Sequence, residues 1–318
     1  MPNRPGSRAS AGTISVCAII VTYQPDLESF ARLVQIIRPQ VATLIVVANS
    51  APASAVKELE NAAQGGTGSS PAIHIIANEK NIGIGAAHNQ GIGVALAEDH
   101  SHVLLLDQDS TPATDMVARL LEGLRTYAGP EPVAAAGPMV VEAKMVRTSY
   151  FVRIGSIRYR RKTVVPSDGP VRADLLIASG CLIPVPVLRA VGQMDDALFI
   201  DRVDTEWCLR ALASGRVCIG VPAAQLRHSI GHQTVLIPGL GREVVLHSPL
   251  RHYYAFRNSI LVMKRPYVGW AWRRNELILL MQMLIVYLSF APERGRRLRM
   301  ITTGIVHGLT DRAGPLEH

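Results

Sequence analysis

Residues 103–110, reading VLLLDQDS, limit the choice of fold more than any other stretch of the chain. Four apolar residues in unbroken succession read as a strand buried on both faces, as in a parallel sheet covered by helices. Two carboxylates, Asp107 and Asp109, follow at once with one residue between them. Open α/β sheets take their ligands in the crevice outside the carboxyl ends of the strands, where a turn of the backbone could bring both acids together. Such a pair suits Mg²⁺ or Mn²⁺, because hard cations prefer carboxylate oxygens and need few protein ligands beside substrate phosphates. The same residues also suit a plain capped turn, since Asp109 and Ser110 precede Thr111-Pro112 and all favour turns or helix caps. The segment alone leaves both readings open.

The flanking chain alternates between two periods. Strands are expected at Val16–Thr22 and at residues 44–48, 73–77 and 133–137. Helices are expected over residues 25–38, with Leu27, Phe30, Leu33, Val34 and Ile37 on one face, over Ala53–Ala63, and over residues 113–127. A further small-residue helix should start in the segment 81–91 and end near Asp99. This alternation implies right-handed crossovers and an α/β class with a parallel sheet. Residues 1–13 read as a disordered basic arm before the first strand.

After Gly137 the pattern changes. Residues 140–171 are basic and β-rich, more like a hairpin or flap than a βα unit. An apolar run at 173–184 is broken by Ser179-Gly180. A helix is expected over 204–214 and a strand over 217–221. Residues 277–292 carry no charge, and Arg273, Arg274, Arg296, Arg297 and Arg299 flank them. That run is short of the roughly 20 apolar residues a membrane span needs. It reads either as a helix buried against the domain or a second subunit, or as a helix in the interface of an anionic membrane. The basic flanks favour the membrane.

The formal charge of +8 and the sequence pI near 9.6 favour an anionic partner. Aromatic residues are few, and no basic–aromatic alternation offers a stacking platform for single-stranded nucleic acid. The four cysteines show no CxxC spacing, which argues against a zinc site and for small core residues in a reducing compartment.

Three constellations could carry chemistry. Gly83-x-Gly85-x-x-His88, with Asp107 downstream, has the outline of a dinucleotide fingerprint. However, His88 stands where a third glycine should permit close packing, and the segment follows the third strand. Glycines relaxing a turn into a helix explain it equally well. The second constellation is the acid-rich run Asp195, Asp196, Asp201, Asp204 and Glu206. Asp201 could cap the helix and its neighbours could complement the dipole, which would also hold Asp204 ionised, but several acids remain unexplained. The third is His228, after a strand, which could be a loop residue or a metal ligand.

Taken in order, TYQPD, NIGIGAAHNQGI, LLLDQDS, IASGCLIP, FIDRVDTEWCLRA, LRHSIGHQ and RHYYAFRNSILVMKR resemble a bacterial family-2 glycosyltransferase, most closely the rhamnosyltransferase subgroup. The resemblance spans about residues 16–264. It implies a GT-A fold, with a Rossmann-like, mostly parallel sheet flanked by helices and a helical C-terminal extension. It further implies a nucleoside-diphosphate sugar donor, a divalent cation (Mg²⁺ or Mn²⁺) and inversion at the anomeric carbon. By the same resemblance Asp109 and His228 hold the metal, Asp107 faces the donor ribose or diphosphate, and Asp204 is the catalytic base. Thr22, Tyr23, Asn49, Asn81 and Gly83 would line the nucleotide pocket. Ser179, Gly180, Asp201 and Trp207 are acceptor-side candidates. The family usually has Asp before the Asn-Ser that follows strand two, and this chain has Ala48.

The resulting expectation is a donor half at 14–137, an acceptor half at 138–264, and a helical region at 265–315 that associates with membrane. The expected reaction moves L-rhamnose from dTDP-L-rhamnose to a saccharide or lipid-linked saccharide in cell-surface polysaccharide synthesis. The expected location is the cytoplasm or the cytoplasmic face of the cell membrane, with a homo-oligomer open and no nucleic-acid partner. Another nucleotide sugar is the nearest alternative. A nicotinamide-dependent oxidoreductase and a non-catalytic membrane adaptor are more distant ones.

Overall fold

The computed structural model describes residues 14–63, 72–142, 149–228, 234–237 and 242–316; the expected basic arm over 1–13 lies outside them. The first half runs β1 (Val16–Thr22), α1 (Leu27–Ile37), β2 (Thr43–Asn49), α2 (Ala53–Ala63), β3 (Ala72–Asn78) and α3 (Ile84–Ala97). There follow β4 (His102–Asp107), β5 (Ser110–Pro112), α4 (Met116–Thr126), β6 (Val133–Glu142), β7 (Tyr150–Ile154), β8 (Tyr159–Thr163), β9 (Val171–Ala173) and β10 (Cys181–Pro184). The remainder is α5 (Val185–Val191), α6 (Val203–Ala213), β11 (Val217–His228), β12 (Thr234–Ile237), β13 (Arg242–Val245), α7 (Pro249–Met263), α8 (Trp270–Phe290) and α9 (Arg294–Leu309).

The main sheet has the order β3-β2-β1-β4-β10-β6-β11-β5, and β9 also pairs with β11. β3, β2, β1 and β4 are mutually parallel, as are β6 and β11. Between these two groups lies β10, antiparallel to both neighbours. The chain therefore leaves β1 toward β2 and β3 on one side and returns through β4 on the other. This is the topological switch point at which open α/β sheets form a ligand crevice.

Strand alternation explains the continuous apolar runs. Cys17, Ile19, Val21, Val103 and Leu105 enter one core with Ala87, Ile92, Ala95 and Trp207. Their neighbours Ala18, Ile20, Leu104 and Leu106 enter the other, against Phe30, Leu33, Val34 and Ile37 of α1. Successive side chains point to opposite faces, so a strand covered on both sides must be apolar throughout. Each large side chain so buried contributes about 1.5–3 kcal/mol. α1 starts later than its periodicity implied because Asp26 caps it, accepting from the Ser29 amide at 2.8 Å.

Other differences share a cause in strand pairing. Ser110–Pro112 is not the entry to a helix but β5, antiparallel to the end of β11, which delays α4 to Met116. β6 and β11 each run past the expected apolar core because they pair with one another to Glu142 and His228. Pro222 has no amide hydrogen to give the ladder, and the register shifts between Val221 and Gln225. The expected basic hairpin is β7–β8. α8 begins at Trp270, so it includes Arg273, Arg274 and Glu276 as well as the uncharged stretch. Among the described residues no helix is long and apolar enough to cross a membrane.

α3 lies unusually close to the sheet. A Cβ on Gly91 would stand 2.6 Å from Cγ2 of Ile19, in the middle of β1. Ile19 is wholly enclosed and has nowhere to move. Gly91→Ala is therefore expected to cost about 1–3 kcal/mol of stability through overpacking, read as a lower melting temperature. An unchanged melting temperature would show that the helix can lift off the sheet freely.

Candidate active site

The acid pair sits where β4 leaves the sheet, and a serine from outside the motif fixes the turn. The Asp107 amide donates to Ser179 Oγ at 3.2 Å, and that hydroxyl shares a 2.5 Å hydrogen bond with Ser110 Oγ. The next residue, Gly180, has φ +82°, and a Cβ there would meet Pro138 Cγ at 2.4 Å, so only glycine fits. Its amide donates to the Leu105 carbonyl at 2.8 Å. Ser179 and Gly180 thus brace the turn from within, and Ser179 is buried. Between the two acids, Gln108 accepts from the Tyr23 amide at 2.7 Å and donates to the Tyr23 carbonyl at 3.1 Å. The residue between the carboxylates therefore locks the loop after β1 to the turn after β4. Nothing in the sequence pattern had marked it.

On the other side of β1, three of the expected nucleotide-pocket residues, Asn49, Asn81 and Gly83, form one network. Asn49 donates to Asn81 Oδ1 at 2.9 Å and accepts from the Ile82 amide at 2.9 Å, while Asn81 Oδ1 also accepts from the Gly83 amide at 2.9 Å. Thr22 lies buried beside them at the end of β1, opposite Ala48, and Tyr23 is exposed. Gly83 has φ +87°, and its missing Cβ leaves room for the backbone of Phe199, whose carbonyl accepts from the Ile84 amide at 2.7 Å. A Cβ on Gly85 would lie 2.9 Å from the Asp195 carbonyl oxygen. Both glycines therefore admit the chain's own 195–199 segment, and the dinucleotide outline has this structural origin. His88 is buried and, among the described residues, neither ring nitrogen has a hydrogen-bond partner. Burial pushes its pKa down to about 4, against a smaller opposing pull from Asp107, so the imidazole is neutral at physiological pH.

The acid-rich segment enters from the third direction. Phe199, Asp201 and Arg202 all have positive φ, at 65°, 66° and 66°. Such non-glycine residues persist only where surroundings hold them. Here the support is α7. The side-chain nitrogen of Asn258 lies 2.8, 2.7 and 2.9 Å from the carbonyl oxygens of Leu198, Ile200 and Asp201. Arg257 donates to the Leu198 carbonyl at 2.9 Å. Arg251 grips both carboxylate oxygens of Asp201, at 2.8 and 2.5 Å. Arg202 reaches Glu276 of α8 at 2.7 Å and Ser259 of α7 at 3.1 Å. Asp201 is therefore not the helix cap. The cap position is Arg202, without a side-chain cap, because the left-handed backbone turns Asp201 toward α7.

Asp204, one residue into α6, is partly buried and accepts from the Thr205 amide at 2.7 Å. Burial pushes its carboxyl pKa up; the Thr205 hydrogen bond and Arg202 oppose this, and the charges of Asp107 and Asp201 add to the rise. The helix dipole was expected to limit the basicity of Asp204; burial instead raises its proton affinity. Asp204, Asp201, Asp107 and Arg251 lie close enough to act on one another's charge. Glu206 is excluded from this group. Both its oxygens bind Arg210 at 2.8 Å, and Tyr267 donates to it at 2.5 Å. Trp207 is also apart, buried with its indole N–H on the Gly192 carbonyl at 2.9 Å.

His228 ends β11, its Cα paired with Ser110 in the antiparallel ladder, one residue from Asp109. Its imidazole lies outside the described part of the structure. Among the described residues no group of three or more His, Cys, Asp or Glu side chains could hold a metal. A small divalent cation needs few protein ligands, because it can take its remaining oxygens from substrate phosphates and water.

A mostly parallel sheet with its switch point between β1 and β4, an acid pair on one side and a partly buried carboxylate on the other match an α/β enzyme of the GT-A glycosyltransferase type. Comparison with known proteins agrees. The chain belongs to glycosyltransferase family 2: the model "Glycosyl transferase family 2" matches residues 17–162. It is 30% identical over 258 residues to dTDP-rhamnosyl transferase RfbF of Shigella flexneri, covering 80% of this chain and 81% of that one. Its fold resembles S. aureus TarS 1-349 at a TM-score of 0.53 and 11% identity, over 94% of this chain and 82% of that one. It also resembles GalNAc-T7, solved with UDP, GalNAc and Mn²⁺, at a TM-score of 0.54 and 12% identity, over 89% of this chain and 59% of the other.

The raised carboxyl pKa of Asp204 has a sign that kinetics can read. If Asp204 is the base it must be ionised to act, and turnover should then rise with pH through a limb that lies above the ordinary aspartate value of about 3.9. A pH–rate profile with its acidic limb at or below that value would contradict the burial argument.

Proposed function

We propose that this glycosyltransferase is an inverting rhamnosyltransferase that moves L-rhamnose from dTDP-L-rhamnose to a saccharide acceptor in bacterial cell-surface polysaccharide synthesis. The observation that carries the reading is the 30% identity to a dTDP-rhamnosyl transferase over 80% of this chain, with Asp107 and Asp204 near enough for their charges to interact. Residues 14–137 hold the donor and residues 138–264 the acceptor, which is a saccharide or lipid-linked saccharide met at the cytoplasmic face of the cell membrane. Thr22, Tyr23, Asn49, Asn81 and Gly83 line the nucleotide end, and Asp107 turns toward the ribose or diphosphate.

Asp204 takes the proton of the attacking sugar hydroxyl, which is a poor nucleophile until it does so. Its raised proton affinity makes it a better base than an exposed aspartate. Asp201, committed to Arg251 at 2.5 Å, shapes the acceptor side instead. Asp109 and His228 would hold Mg²⁺ or Mn²⁺, which supplies Lewis-acid neutralisation of the leaving diphosphate when bound.

A screen of nucleotide sugars, read by release of the nucleoside diphosphate, tests the proposal. dTDP-L-rhamnose should be the best donor, with activity lost in chelator and restored by Mg²⁺ or Mn²⁺. Asp204→Asn should bind donor normally and turn over about 10²–10⁴-fold more slowly. It should also melt no lower than wild type at neutral pH. The folded carboxyl pKa is raised, so the ionised form opposes folding above it, and a neutral amide removes that cost. Near-wild-type turnover in Asp204→Asn, or preference for another donor, would overturn the assignment concerned.

A further inference from the structure

The inner and outer faces of α8 differ sharply. Inward, Trp272, Asn275, Glu276, Leu280 and Tyr287 are buried. Glu276 holds Arg202 and Ser259 beside the catalytic loop, at 2.7 and 2.5 Å. Outward, Trp270 is 73% exposed, Leu277 54%, Met281 50% and Ile285 59%, with Ile278 beside them at 47%. Spacings of seven, four and four residues return to one side of a helix, so these side chains form a stripe about 22 Å long. Contiguous exposed apolar surface of this kind marks a docking face.

The charges at its ends select the partner. Arg274 lies in the first turns of α8, partly exposed, while Arg273 turns back to donate to the Arg265 carbonyl at 2.9 Å. Arg294, Arg296 and Arg299 open α9 immediately after its last turn, and all are exposed. Glu293 stands among them, 3.5 Å from Arg296. Suppose the stripe met the same stripe on a second copy. A two-fold contact sets the same surface patch against itself, so arginine-rich ends would face arginine-rich ends whether the helices ran parallel or antiparallel. An anionic surface reverses that sign at both ends. An apolar helix face with basic flanks is the pattern that lies in a lipid interface without crossing it.

We propose that α8 docks the enzyme on an anionic bilayer, with its apolar stripe at the headgroup boundary and the terminal arginines on lipid phosphates. Because Glu276 projects from the opposite side of the same helix to Arg202, docking sets α8 between the bilayer and the Asp201–Arg202 loop and holds that loop one helix diameter, about 10 Å, from the membrane surface. Only the nature of the acceptor rests on the function proposed above; the docking itself does not.

The test is co-sedimentation of the full chain with phosphatidylcholine vesicles and with vesicles of equal parts phosphatidylcholine and phosphatidylglycerol. Binding is expected to the mixed vesicles and to weaken as salt screens the arginines. The variant L277S/M281S/I285S should lose about tenfold or more in vesicle affinity, since each replaced side chain withdraws apolar area from the interface. Its melting temperature and its turnover of a soluble acceptor should stay at wild-type values, which separates failure of docking from failure of the transfer reading. R294E/R296E should lose the salt-sensitive part. Absence of binding by the wild-type chain, or unchanged binding by the triple-serine variant, overturns the proposal. A triple-serine variant that binds vesicles as wild type but converts a dimer to a monomer in size-exclusion chromatography would make the face a subunit contact.

Discussion

The carbonyl groups of Leu198, Ile200 and Asp201 all converge on one side-chain nitrogen, that of Asn258. The segment they belong to could not otherwise hold its shape. Its left-handed residues Phe199, Asp201 and Arg202 cost about 1–3 kcal/mol each, and buried carbonyls without partners would add to that. Asn258 and Arg257 are themselves wholly enclosed, so their placement is fixed by the packing of α7. From the opposite side the Gly83–Gly85 turn presses on the same segment, through the bond from the Ile84 amide to Phe199. A strained loop is thus clamped between α3 and α7, and α6, carrying Asp204 in its first turn, begins where the clamp ends.

That clamp also sets the electrostatics. Asp107, Asp201 and Asp204 lie in one another's fields. Arg251 spends its guanidinium on Asp201, and Arg202 turns to Glu276. Asp204 is left with a backbone amide and the Thr205 hydroxyl, which is why burial dominates its proton affinity. Beneath the crevice His88 stays neutral and adds no charge to the acids above it. Glu206, only two residues on, is fully committed to Arg210 and Tyr267. Neighbouring acids on one helix have different work because their partners differ, not because their spacing does.

Much of this was legible in the residues. The unbroken apolar runs of β1, β2 and β4 foretold a sheet covered on both faces, and the acids after β4 marked its crevice. Strands without such runs escaped notice. β5 is three residues long, and Thr111-Pro112 resembles a turn until β11 is beside it. β10 reads as another apolar run, and its antiparallel direction comes from tertiary pairing with β4 and β6. Backbone sign was invisible too: nothing in Asp201-Arg202 announces a left-handed conformation, so Asp201 looked like a cap. Gln108, Asn258 and Glu276 act across long sequence separations on groups that spacing cannot link. The signal available for α7 was a polar trio, Arg257-Asn258-Ser259, in a helix otherwise suited to a core; all are wholly buried, and buried polar groups need partners.

If the strained loop fixes the base, loosening its anchor should harm chemistry and leave the donor site alone. Turnover and dTDP affinity of Asn258→Ala, compared with wild type at a temperature where both are fully folded, test this most directly. The account predicts unchanged dTDP affinity, because Asn49, Asn81 and Gln108 are untouched, with turnover reduced by about 10²-fold as the base loses its placement. Wild-type turnover in folded Asn258→Ala would contradict it, and Asp204 would then owe its position to α6 alone.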